Sequence, residues 1–163
     1  MTDAAPTLTR YIVMLQTLRN APGRMAEIVE ALSGAGGDWR PRPEAWTSRQ
    51  LIAHLAAADP LFEKRLARIV AEDNPWLPYF GPDTARPEAD ALLPELASRF
   101  RTQRDHLLKF LSALPPEAWE RSAVHETMGP TTFAQQVQNI ISHDTDHFGQ
   151  LHDLRRAWES QAH

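Results

Sequence analysis

Apolar residues return every three or four positions through four long stretches of the chain, and no stretch alternates strictly enough to suggest a strand. In the first, Leu8, Tyr11, Ile12, Leu15, Leu18, Met25, Ile28, Val29 and Leu32 keep phase across Pro22 and Gly23. An unbroken phase predicts one kinked helix from Leu8 to Leu32. Ser33 to Gly37 ends it, and two prolines make Trp39 to Pro43 an extended connector. The second stretch opens on Thr47 and Gln50, the T-x-x-Q spacing of a capping box, with Trp46 and Leu51 placed as a hydrophobic staple. Leu51, Leu55, Ala58, Phe62, Leu66 and Ile69 then form one apolar face as far as Ala71.

The third helix is expected over Asp90 to Ala113, with Leu92, Leu96, Phe100, Leu107, Phe110 and Leu114 on one side. Arg99, Arg101, Arg104 and Lys109 read as its solvated face, and Pro115-Pro116 stops it. The fourth runs from Thr132 to Trp158 without a proline, opening on a second T-x-x-Q pair, Thr132 and Gln135. Phe133, Ile140, Leu151, Leu154 and Trp158 lie within about 60° of one another on its wheel. Between the second and third helices, Asp73 to Ala89 carries Pro75, Pro78, Pro82 and Pro87 with Trp76, Tyr79 and Phe80, and reads as a loop that packs down as a lid. Leu114 to Thr131 is a connector containing Trp119, His125 and Gly129-Pro130. Four amphipathic helices predict an all-α four-helix bundle, a single domain over residues 1–163. The pattern does not choose between a hairpin and a crossover topology.

Composition narrows the chemistry. The formal charge of −4 leaves no basic footprint for nucleic acid. No cysteine is present, which removes disulfides, thiolate ligands and a cysteine nucleophile. The N-terminus has no apolar leader and no segment is long enough to span a bilayer, so a cytoplasmic protein without a membrane partner is expected.

Histidines supply the candidate chemistry. His143 and His147 fall on the apolar stripe of the fourth helix, beside and after Ile140. One turn apart, their Cβ atoms lie about 5–6 Å from each other, close enough to share a metal ion. His54 sits at the edge of the second helix's apolar face. Three imidazoles with open positions suit zinc, nickel, iron or copper. Other metal patterns are absent: there is no H-E-x-x-H and no Glu-x-x-His. Nor is there a G-x-S-x-G, a P-loop or a dinucleotide fingerprint. His106 is a boundary residue and a reserve ligand. His125 reads first as a solvent-facing loop residue, with entry into the mouth of the site as the alternative. His152 points away from the stripe, and His163 is terminal. Asp144, about 40° off the stripe, either orients a ligand or a bound water or pairs with an arginine.

Taken together, Trp39-Arg40-Pro41, Trp46-Thr47 through His54-Leu55, Gly129-Pro130-Thr131-Thr132-Phe133 and His143-Asp144-x-x-His147 with Gln150-Leu151 resemble the DinB/YfiT-like superfamily of metal-dependent helical bundles. The resemblance covers nearly the whole chain. It implies a four-helix bundle with a crossover, commonly a homodimer, and a metal site formed by His54, His143 and His147. It further implies nickel or zinc as the metal. The chemistry it implies is transfer or isomerisation with low-molecular-weight thiols, or hydrolysis, of a small-molecule substrate. Gln50 stands where many relatives carry Glu, a change that touches the helix cap alone. The leading expectation is therefore an enzyme in which a three-histidine metal activates a thiol or water against a small electrophile. A non-catalytic metal- or ligand-binding bundle, its shell closed by His125 or Asp144, is the alternative. Histidines that only satisfy one another in a core are the third reading.

Overall fold

The computed structural model describes residues 4–32, 34–81 and 91–161, with side chains described from Thr7 onward. Residues 82–89 of the expected lid, Asp90 at the start of the expected third helix, and His163 lie outside the described residues. Four helices carry the fold: α1 (Ala4–Ala31), α2 (Ser48–Ala71), α3 (Leu93–Ser112) and α4 (Phe133–Gln161). α1 passes through Pro22 unbroken, as its phase predicts. The capping box of α2 is formed: Gln50 N–H donates to Thr47 Oγ1 at 3.1 Å and Thr47 N–H to Gln50 Oε1 at 2.9 Å. Thr132 and Gln135 make the same reciprocal pair ahead of α4, at 3.2 and 2.9 Å.

The expectation of no strand is corrected. Trp76–Leu77 (β1), Ser122–His125 (β2) and Gly129–Thr132 (β3) form a three-stranded sheet in the order β1-β2-β3. β1 pairs with β2 in parallel, and β2 with β3 antiparallel. Such short strands show no alternation to read, and Pro130 is tolerated because β3 lies at an edge. Arg121 ties this sheet to α2 by donating to the carbonyls of Ile69 and Glu72, each at 2.7 Å.

The topology is a crossover. α1 packs on α3 and α4, and α2 packs on the same two helices. Two buried apolar clusters fix the directions. One gathers Tyr11, Met14 and Leu18 of α1 with Leu66 and Ile69 of α2, Leu107 and Leu111 of α3, and Phe133 and Val137 of α4. The other gathers Met25, Ile28 and Leu32 with Leu51 and Leu55, Leu93 and Leu96, and Phe148 and Leu151. Hence α1 and α4 run one way and α2 and α3 the other, and the α2–α3 link travels the length of the bundle. At the second cluster's end, a Cβ on Gly37 would lie 2.7 Å from Leu93 and one on Gly36 would lie 3.0 Å from Trp158. The turn before α2 needs glycine there for the ends of α3 and α4 to close on it.

Between the clusters lies a polar layer to which every helix contributes. Arg104, expected on the solvated face of α3, is fully buried instead. Its Nε and Nη2 donate to the two carboxylate oxygens of Asp59 at 2.8 and 3.1 Å. Its Nη1 donates to Leu18 O at 3.1 Å and lies 2.8 Å from Asp144 Oδ2. The local sequence explains the third contact. Pro22 has no N–H to return to the carbonyl four residues earlier, so Leu18 O is left for the guanidinium. Leu8 and Ile12, read as part of the α1 stripe, are exposed, because the buried line runs through Tyr11, Met14, Leu18, Ala21, Met25 and Ile28.

Removing Arg104 would strand two buried carboxylates. Arg104→Leu is expected to lower the unfolding free energy by about 3–5 kcal/mol, measured by urea denaturation. A loss no larger than that of an exposed arginine such as Arg101 would contradict the role.

Candidate metal centre

The side chains of His54, His143 and His147 meet where α2 faces α4, with one ligand atom from each lying within 4.8 Å of the others. His54 is buried and the two α4 histidines are half-buried. The buried line of α4 is Phe133, Val137, Ile140, Asp144, Phe148 and Leu151. The histidine pair therefore stands beside the core stripe rather than on it, and faces a cavity. His54 Nε2 and His143 Nε2 are 2.9 Å apart. Trp46 stands edge-on to His54 at 5.5 Å between ring centroids, and Phe62 to His143 at 5.2 Å. These rings give the cluster an apolar surround on both sides.

The donor set fits a divalent transition metal. Neutral imidazole is the ligating form, and burial, together with the other two histidines, holds His147 below its ordinary pKa despite the opposing hydrogen bond that it donates to Gln150. His147 Nδ1 lies 2.8 Å from Gln150 Oε1. Since that oxygen only accepts, Nδ1 carries the proton and Nε2 keeps its lone pair for the cluster. His143 Nδ1 is buried without a hydrogen-bond partner, 3.9 Å from Asp144 Oδ1, which is itself buried without one. The two atoms are too far apart for a hydrogen bond, but they are placed as ring N–H and carboxylate acceptor behind a ligand. Among the described residues no Asp, Glu or further His joins the cluster.

Asp144 answers the choice left open by the sequence: its strong partner is Arg104. Burial raises its carboxyl, but the neighbouring His143 and the Arg104 charge outweigh this and hold it below the ordinary carboxylate range. Asp59, five residues after His54, escaped the sequence reading; burial pushes its carboxyl up against the pull of Arg104. The polar layer thus lies directly beneath the histidines, with Asp144 next in the chain to His143.

A cavity of about 930 Å³ opens above the cluster, walled by the α2 stripe Leu51, His54, Ala58, Leu61, Phe62 and Arg65 and by the α4 stripe Asn139, His143, His147, Gln150 and Leu154. Tyr79 and Phe80 line it from the α2–α3 link, although Trp76 and Tyr79, two of the aromatics expected to pack down, are more than half exposed. His125, read first as solvent-facing, is buried at the end of β2 and lines the cavity. Its Nδ1 accepts from the backbone N–H groups of Thr127 and Met128, both at 3.3 Å. Nε2 therefore holds the proton. Burial and the charge of Arg65 keep this imidazole below its ordinary pKa, against the pull of Glu126. His106 and His152 are exposed and far from being ligands.

The comparisons with known proteins agree with this architecture. Residues 17–151 match the DinB superfamily. A protein of Oceanobacillus iheyensis, named for an inferred metal-dependent hydrolase activity, is 22% identical over 139 residues, covering 84% of this chain and 80% of its own. YfiT from Bacillus subtilis, described as an inferred metal-dependent hydrolase with an unusual four-helix-bundle topology, superposes with a TM-score of 0.78 at 18% identity. That match covers 91% of this chain and 87% of YfiT. The DinB-like protein YjoA of the same organism gives 0.63, also at 18% identity, over 90% of this chain and 92% of its own.

The lowered pKa values of His125 and His147 carry a sign. Below about pH 6.5, the ordinary histidine value, the unfolded chain binds protons that the folded one refuses, so stability falls on acidification. Urea unfolding of metal-free protein is expected to show lower stability at pH 5.5 than at 7.5, with a flatter dependence in a His125→Asn, His147→Gln double variant. An unchanged slope in that variant would contradict the assignment. By the match over residues 17–151, the chain belongs to the DinB superfamily.

Proposed function

We propose that this protein is a metal-dependent enzyme in which His54, His143 and His147 hold one divalent transition ion, zinc or nickel before iron. The observation that carries this reading is a cluster of three imidazoles, with no fourth candidate ligand among the described residues, at the wall of a largely apolar cavity. Structural sites close their shell with protein atoms, whereas catalytic ones leave a position for water or substrate. A divalent ion bound there supplies Lewis-acid polarisation and lowers the pKa of a coordinated water or thiol. The chain's own groups do the rest. Gln150 fixes the His147 tautomer, Trp46 and Phe62 exclude bulk water, and His125 offers a neutral N–H donor across the cavity.

Hydrolysis of a small ester or amide is the reaction class favoured here, supported by the names given to the Oceanobacillus relative and to YfiT. Transfer from a low-molecular-weight thiol is the second reading. It is favoured by a cavity near the upper end of the roughly 300–1,000 Å³ usual for ligand sites, with room for a cosubstrate beside the electrophile.

Elemental analysis of protein purified without an affinity tag is expected to give about one equivalent of a transition metal per chain, lost in the His143→Ala, His147→Ala double variant. Gln150→Leu should keep the fold and weaken metal binding by about 10–100-fold. Absence of metal after metal-replete expression would sink the proposal. Assays of model esters with and without added cysteine or glutathione separate the two reactions. Turnover without thiol supports hydrolysis, and turnover that requires thiol supports transfer.

A further inference from the structure

Arg65 stands on the cavity wall, three turns along α2 from His54. The eleven-residue separation returns it to nearly the same face, at an axial rise of roughly 16 Å. Its surroundings are unusual for an arginine. The guanidinium lies over the Phe80 ring at 4.6 Å, and Nη2 donates to Pro78 O at 3.0 Å. Nε is buried with no hydrogen-bond partner. Among the described residues, no carboxylate lies within ion-pair distance of it. The two carboxylates that line the cavity, Glu44 and Asp153, belong to its opposite end, by Trp46 and the last turns of α4. Glu44 is already paired with Arg42 at 3.2 Å.

A partly desolvated cation without an acid is costly unless something else neutralises it, and burial duly pushes Arg65 below its ordinary pKa. A second donor points to what that is. His125 lines the same cavity and is paired across the sheet with Leu77, next to the Pro78 carbonyl that Arg65 holds, while the neighbouring Glu126 carboxylate is engaged by the Tyr79 N–H at 2.7 Å. With Nδ1 capped by the Thr127 and Met128 N–H groups, His125 can only donate through Nε2. Asn139, on the α4 wall, is a further polar group among the residues that line the cavity.

We propose that Arg65 and His125 form an anion subsite, and that the substrate is an elongated molecule with an apolar body, its reacting carbonyl at the histidine cluster and a carboxylate at Arg65. The inference rests on the metal reading for the first end of the substrate only. Guanidinium and imidazole N–H together match a planar carboxylate, for which arginine is the fitting cation. The intervening wall, Ala58, Leu61 and Phe62, suits an alkyl or aryl spacer.

Suberic acid monohydroxamate, a metal-binding group joined by an alkyl chain to a carboxylate, probes both ends at once. Its methyl ester is the neutral control. By titration calorimetry on zinc-loaded protein the acid is expected to bind at least ~10-fold more tightly than the ester, the worth of a charge-assisted pair. In Arg65→Met that preference should disappear while the ester's affinity holds, and in Arg65→Lys part of it should return. Equal binding of acid and ester to the wild type, or a preference that survives in Arg65→Met, overturns the subsite while leaving the metal reading intact. A second arm uses metal-free protein with 4-phenylbutyrate against 4-phenylbutyramide. An Arg65-dependent preference for the acid there, with no hydroxamate binding to protein exposed to zinc, upholds the subsite and removes the metal reading. No preference in either arm overturns the subsite.

Discussion

The guanidinium of Arg104 is the point at which the four helices are joined. It reaches Asp59 on α2, Asp144 on α4 and the Leu18 carbonyl of α1 from its own place on α3, each at 3.1 Å or less. Burying one cation and two carboxylates carries a desolvation penalty of several kcal/mol per ion, which Coulomb attraction recovers only with good geometry. Here the geometry is bidentate to Asp59 and uses every face of the guanidinium. Its structural effect is registration. Apolar clusters on either side of the layer would tolerate a helix slid by one turn, since Leu and Ile interchange readily. A slide of α2 or α4 would instead leave a buried charge alone.

Registration is what a three-histidine site requires. His54 is five residues from Asp59 and His143 is adjacent to Asp144, so the contacts that lock α2 and α4 to α3 also set the height of the imidazoles. The same antiparallel pairing of α2 and α4 makes the cavity. Two facing stripes, one per helix, run past the histidines to Trp46 at one end and to Arg65 and His125 at the other. The small sheet belongs to this arrangement. β2 carries His125 to the cavity's far end, and Arg121 anchors the sheet to the last carbonyls of α2.

Much of this was legible in residue order. Helical phase gave the four helices, including the passage through Pro22, and both T-x-x-Q boxes form. The histidine cluster followed from His143 and His147 one turn apart and from His54 on a second inward edge. Of the polar layer, only the pairing of Asp144 with an arginine was among the readings; Arg104 and Asp59 were legible in principle but missed, because charge was equated with solvent. Arg104 lies four residues after Phe100 and three before Leu107, squarely on the α3 stripe. Asp59 stands between Leu55 and Leu66, and Asp144 between Ile140 and Phe148, at stripe positions of their own helices. Charges of opposite sign on three separate stripes are a signal for mutual burial. His125 and the sheet were not legible. Strands of two to four residues have no measurable period, and the burial of His125 depends on a hairpin whose pairing is non-local. The crossover was implied by the family resemblance but not by the helical pattern, because it rests on which helices touch, a property of the whole packing.

X-ray absorption spectroscopy on the zinc-loaded protein tests the central claim most directly, because it counts the ligands. Three imidazoles with one or two further oxygen scatterers is the predicted shell, an open site held in register by the buried layer. A shell of four protein ligands, with His125 or a carboxylate in the fourth place, would contradict it and make the ion structural.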